Sequence, residues 1–111
     1  MVNLYYLKEL SGGSTEFEIE MIQLFLNNVP IDLSRLELAL KDSDFHTAKA
    51  IAHKIKSSFH IMGIDDTAAH LDELKKLLDN NEINDAINLW VKIDKRFWRV
   101  YPTLFRMIED Y

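Results

Sequence analysis

The sequence predicts an all-α protein, an antiparallel four-helix bundle with an additional short N-terminal helix. Three observations carry that expectation. Apolar residues recur at three- and four-residue steps along nearly the whole chain. No segment shows sustained strand alternation, and the 111 residues include only three glycines and two prolines, placed at breaks between helical patterns or within one.

Residues 3–10, NLYYLKEL, read as a short first helix stopped by Ser11-Gly12-Gly13. Thr15 followed by Glu18 forms a capping box for a second helix, striped by Phe17, Met21, Leu24, Phe25 and Val29. Pro30 falls where a third helix begins, with Asp32 in the first turn to suit the dipole. Leu33, Leu36 and Leu40 are its buried stripe. After the break at Asp42-Ser43-Asp44 a fourth helix runs from about Phe45 to Met62, and Gly63 supplies the left-handed residue beyond its end. Asp65 or Asp66 caps a fifth helix striped by Leu71, Leu74 and Leu78, which Asn80-Asn81 ends. The last helix starts near Ile83 and carries Trp90, Ile93, Phe97, Tyr101, Leu104 and Ile108. That stripe keeps its phase across Pro102, so one kinked helix is expected. The whole of 1–111 reads as a single domain without repeat or linker.

Composition narrows the function. A formal net charge of -5 argues against general nucleic-acid binding, which draws its affinity from neutralised phosphates. With no cysteine there is no disulfide, thiolate zinc site or Cys nucleophile. No apolar run approaches the roughly 20 residues of a membrane span, and MVNLYYLKEL does not read as a signal peptide. A soluble cytoplasmic domain is expected.

The stretch 52–60, AHKIKSSFH, raises the functional question. Advancing about 100° per residue from His53, Ala48, Ile51, Ile55, Phe59 and Met62 fall on the opposite side as one core arc. Burying His53 would turn Ile51, Ile55 and Met62 to solvent, at roughly 1.5–3 kcal/mol each. His53 is therefore expected to be exposed, with His46, Lys49, Lys56, Ser57 and His60 on its own side. The seven-residue repeat of His46, His53 and His60 does not suit a metal, because neighbours lie about 10.5 Å apart along the axis. His46, His60 and His70 read as idle or partly packed. What remains is a solvent-facing imidazole with lysines a turn to either side, a field that suits an anion beside the ring. A neutral imidazole is a fair nucleophile, and Lys56 at i+3 is spaced to neutralise charge placed on it.

These residues resemble the histidine-containing phosphotransfer (HPt) domain of two-component phosphorelays. The family pattern is roughly A-H-x-L-K-G-S-S, with a glycine ten residues after the histidine. Ala52, His53, Ile55, Lys56, Ser58 and Gly63 match it, and LKELSGGSTEFEIEMIQLFLNNVP followed by DLSRLELALKDSD resembles the family's lead-in. Ser57 departs from the pattern, standing where the family usually has glycine. The resemblance implies that His53 accepts a phosphoryl group through Nε2 from a receiver-domain aspartyl phosphate and passes it to another receiver. Lys56 would screen the phosphoryl oxygens, Ser57 or Ser58 would assist through their hydroxyls, and Lys49, Gly63 and Lys75 would support the site. It further implies response-regulator receiver domains and a hybrid sensor histidine kinase as partners. It implies no cofactor of the chain's own, with Mg²⁺ on the partner receiver domain, and a monomer without nucleic-acid or membrane partners. Docking residues would come from the first two helices: Leu4, Tyr5, Ile22 or Phe25.

Three rivals are weighed against this reading. An autonomous kinase needs a phosphate-cradling loop, and glycines 12, 13 and 63 provide neither G-x-G-x-x-G nor a P-loop. WVKIDKRFWRVY interleaves aromatic and basic residues in a manner that superficially suits nucleic acid, but Trp90, Phe97 and Tyr101 lie on the core stripe. A phosphate-independent adaptor bundle, a degenerate HPt that only docks receivers, stands as the alternative.

Overall fold

The computed structural model describes residues 2–111. Five helices follow one another: α1 (Tyr5–Ser11), α2 (Thr15–Lys41), α3 (Phe45–Ile61), α4 (Asp65–Asp79) and α5 (Ile83–Glu109). There is no strand among the described residues. Three-residue connections join α2 to α3, α3 to α4 and α4 to α5, too short for anything but antiparallel neighbours. Each long helix packs on the next, and α5 closes the ring against α2. The bundle is 44 Å long and 21 Å across in both other directions, with α1 lying on α2.

The second and third helices expected from sequence are one helix, α2, with Pro30 inside it. A proline in a helix interior costs about 3 kcal/mol. Against that, Phe25, Val29, Leu33, Leu36 and Leu40 hold one buried stripe across the proline, and each such side chain gains roughly 1.5–3 kcal/mol on burial. Packing wins. Asp32 is consequently not in a first turn. It is buried in mid-helix, with Arg35 at 3.2 Å and Lys54 at 3.1 Å on its carboxylate. Pro102 likewise lies inside α5, which runs unbroken past it as expected.

The caps differ from the expectation in two places. Ser14, not Thr15, caps α2, its hydroxyl accepting from the Phe17 amide at 3.2 Å. Glu18 turns away from that amide end and accepts from Ser11 Oγ at 2.6 Å and Tyr111 Oη at 2.8 Å, tying α1, α2 and the chain's last residue together. Ile64 occupies the cap of α4 without a side-chain bond, and Asp66 accepts from the adjacent Thr67 amide instead.

The core is made by Leu7, Ile22, Leu33, Leu36, Ile55, Phe59, Leu71, Leu74, Ile93 and Phe97, all essentially inaccessible, with an edge-to-face pair between Phe25 and Phe59 at its centre. Phe17 and Leu24, assigned to the buried stripe from spacing, are 37% and 45% exposed. The buried face of α2 is instead set by Ile22, Phe25, Leu26 and Val29. This leaves Ile22 and Phe25 unavailable for docking, a second correction.

Candidate functional site

Helix α3 starts at the Asp44 cap, whose carboxylate accepts from the Thr47 amide at 3.3 Å. It then buries Ala48, Ile51, Ala52, Ile55 and Phe59. With that face fixed, the imidazole of His53 has only one direction left, and the residue is exposed. Among the described residues it has no ion-pair or hydrogen-bond partner in the chain. Ser57, a turn further on, is exposed as well.

The cations expected beside the ring are held by carboxylates of α4. Lys56 Nζ lies 2.8 Å from Asp72 Oδ2, and Lys75 Nζ lies 3.2 Å from Asp72 Oδ1. Lys56 and Lys75 therefore meet on one carboxylate between the two helices. The hydrogen bond from Lys56 holds the Asp72 carboxyl below its usual range, with Lys75 adding to the effect against a smaller opposing desolvation. Lys49 Nζ lies 2.7 Å from Asp79 Oδ1, further along the same seam. Sequence reasoning had no place for Asp72. Its i, i+3 spacing to Lys75 was visible, but its meeting with Lys56 depends on how α3 and α4 are staggered.

Ser58 parts company with His53. It is half-buried and turned toward α2, where it lines an apolar groove of about 190 Å³ with Met21, Leu24, Val29, Ile61 and Met62. Of the two serines only Ser57 shares the face of the imidazole. Of the residues expected to dock a partner, Tyr5 is exposed and Leu4 half-buried; Tyr6 and Leu10 of α1 and Phe17, Leu24, Ile31 and Leu38 of α2 are exposed as well.

Gly63 has a structural cause. Its φ is +69°, and a Cβ there would overlap the carbonyl oxygen of Asn3 and sit 2.6 Å and 2.7 Å from the Asn3 carbonyl carbon and nitrogen. The N-terminal segment crosses directly over this turn, with the Asn3 amide donating to the Met62 carbonyl at 3.3 Å. Close by, His60 Nδ1 lies 3.1 Å from Asp65 Oδ1 and its ring packs on Tyr6. Among the described residues no three metal-ligating side chains cluster, and no helix is long and apolar enough to cross a membrane.

The arrangement is an unencumbered imidazole on a helix whose opposite face is buried in the core, with two ammonium groups sharing one carboxylate of the next helix. Such a ring can act as a nucleophile toward an electrophile delivered by another molecule, since nothing in the chain surrounds it. Comparison with solved structures gives the same fold. Histidine-containing phosphotransfer protein B (HptB) from Pseudomonas aeruginosa PAO1 superposes with a TM-score of 0.89 at 20% identity, covering 99% of this chain and 96% of its own. The HPT domain of the Hpt sensor hybrid histidine kinase from Shewanella superposes with a TM-score of 0.81 at 15% identity, covering 99% and 95%. No curated protein matches in sequence. The family model described as Hpt domain matches residues 20–95, which hold all of α3 and α4 and most of α2. The chain belongs to the Hpt domain family, the phosphotransfer modules of two-component phosphorelays.

Proposed function

We propose that His53 takes a phosphoryl group from the aspartyl phosphate of a response-regulator receiver domain and passes it to an aspartate of a second receiver. The unprotonated ring nitrogen, Nε2, attacks phosphorus; the N–P bond forms as the P–O bond to the aspartyl carboxylate breaks, and that carboxylate leaves. The reverse displacement delivers the group onward. Phosphoryl transfer rests mainly on positioning and charge, so the chain's share is modest. It presents the ring, and Lys56 and Lys75 move from Asp72 to the phosphoryl oxygens as negative charge arrives. Ser57 hydrogen-bonds the same group or limits its approach. Mg²⁺ is supplied by the receiver, and the chain itself binds no ATP. The partners are receiver domains and a hybrid sensor histidine kinase. The protein works as a cytoplasmic monomer.

The exposure of His53 on a family-matched helix carries this reading. Incubation with a labelled phospho-receiver tests it. Label should move to the wild type and not to His53→Gln, and the adduct should be acid-labile and base-stable. Receiver binding without any label transfer would replace the carrier with the phosphate-independent adaptor.

A further inference from the structure

One motif is not absorbed by phosphotransfer. Lys92, Lys95, Arg96 and Arg99 follow one another on α5 at i, i+3, i+4 and i+7, which gathers them on a face about 100° wide and within about 10.5 Å along the axis. They do not form a simple solvated ridge. With Asp66 and His70 of α4 they line an open cleft of about 450 Å³ between the two helices. Lys92, Lys95 and Arg99 have no ion-pair partner among the described residues.

Arg96 points the same way more sharply. Its Nε is the buried side-chain nitrogen that lacks a hydrogen bond among the described residues. Asp66 Oδ2 lies 3.3 Å away, close enough for attraction but outside hydrogen-bonding geometry. The other oxygen of Asp66 is occupied by the Thr67 amide at 2.8 Å. Four cations thus line the cleft with one carboxylate that is already engaged, in a chain whose overall charge is -5. A buried donor left unmatched is costly, and a surplus of positive charge in a cleft draws anions.

We propose that the α4–α5 cleft binds a small anion carrying two or three linked phosphate groups. Charge density selects this class: four cations within about one and a half to two helical turns match several charges on adjacent groups. Guanidinium forks suit phosphate oxygens. The cleft also has the dimensions of a small-molecule site, of the order of 300–1,000 Å³, and His70 adds a ring that can donate when protonated. Asp66 opens toward Thr67 as the anion takes Arg96 Nε. The site lies on a different pair of helices from the α3–α4 seam of His53.

The test is calorimetric titration of the full chain with inorganic tripolyphosphate at low salt, paired with NMR observation of the Arg96 Nε–H. One-to-one binding that shifts the Arg96 signal is expected. Lys95→Gln/Arg99→Gln should weaken it at least about tenfold, since each side chain loses its charge-assisted hydrogen bonds to the anion. Lys8→Gln/Lys41→Gln makes the same charge change elsewhere and should leave the affinity within about twofold. Lys95→Gln/Arg99→Gln should still accept label on His53, which separates this site from the relay. Equal weakening by both double variants overturns the proposal, as does orthophosphate binding as tightly as tripolyphosphate. Silence toward tripolyphosphate, with binding instead to polyglutamate, single-stranded DNA or anionic vesicles, overturns it too.

Discussion

Replacing Gly63 by alanine tests whether the glycine of the phosphotransfer motif serves the fold or the chemistry. Two penalties follow from the structure. A side chain at φ +69° enters the left-handed region, at about 1–2 kcal/mol. The added Cβ also collides with the Asn3 backbone, so the N-terminal segment must lift and release the Asn3–Met62 hydrogen bond, at about 0.5–1.5 kcal/mol. Together Gly63→Ala should lose roughly 2–3 kcal/mol, a large part of a typical 5–15 kcal/mol. For a domain of this size that lowers Tm by about 8–12 °C. Gly12→Ala is the control: φ is +60° there too, but nothing lies within 4 Å of the added atom. It should lose only the first, conformational part. Urea unfolding followed by circular dichroism should show a lower midpoint for Gly63→Ala at unchanged slope. Removing residues 1–4 should shrink the penalty to that of Gly12→Ala, the signature of a coupled pair. Below its melting transition Gly63→Ala should accept label on His53 at close to the wild-type rate. If Gly63→Ala is no less stable than Gly12→Ala, the crossing segment is not what demands glycine.

Three further outcomes are expected. Ser57→Gly removes the hydroxymethyl from the approach to His53 and should speed uptake from a phospho-receiver severalfold, at a helix cost of about 0.5 kcal/mol; an unchanged rate would show that Ser57 does not crowd the ring. Asp72→Asn releases Lys56 and Lys75, so the transfer equilibrium should shift toward phosphorylated His53. Because the folded state depresses the Asp72 carboxyl, its stabilising effect is full above the ordinary carboxylate pKa of about 3.9 and disappears as the pH falls further, through the folded value. The stability gap between wild type and Asp72→Asn should therefore be present at neutral pH and close in acid; a gap independent of pH would refute the tie. The Tyr111 hydroxyl is pushed up to about 12 by burial and by its bond to Glu18. Its contribution holds below the ordinary tyrosine value of about 10 and fades as the pH rises toward 12, so Tyr111→Phe should remove the last phase of an ultraviolet tyrosine titration.

The exposed ring of His53 was legible because Ile51, Ile55 and Phe59 leave a helix no other way to face, and that logic needs no neighbour. The same phase argument spans Pro102 and also spans Pro30, where the stripe from Phe25 to Leu40 overrides the local rule that proline starts helices. Leu24 and Phe17 were misplaced because two apolar phases overlap early in α2, and only the packing of α3 and α5 selects between them. Asp72 was out of reach for a different reason: a carboxylate shared by two helices depends on their stagger, which periodicity within each helix does not encode. Gly63 was recognised by its place after the helix, yet the cause of the glycine lies sixty positions earlier, in Asn3.

A lone imidazole standing proud of a smooth bundle has an implication for traffic. In the proposed relay, donor and acceptor would both have to reach the same nitrogen from the same side, so a visitor of either kind would shut the other out. Throughput in such a relay would then rise and fall with the ratio of the two visitors, and an excess of discharged receiver would slow it without touching any chemical step.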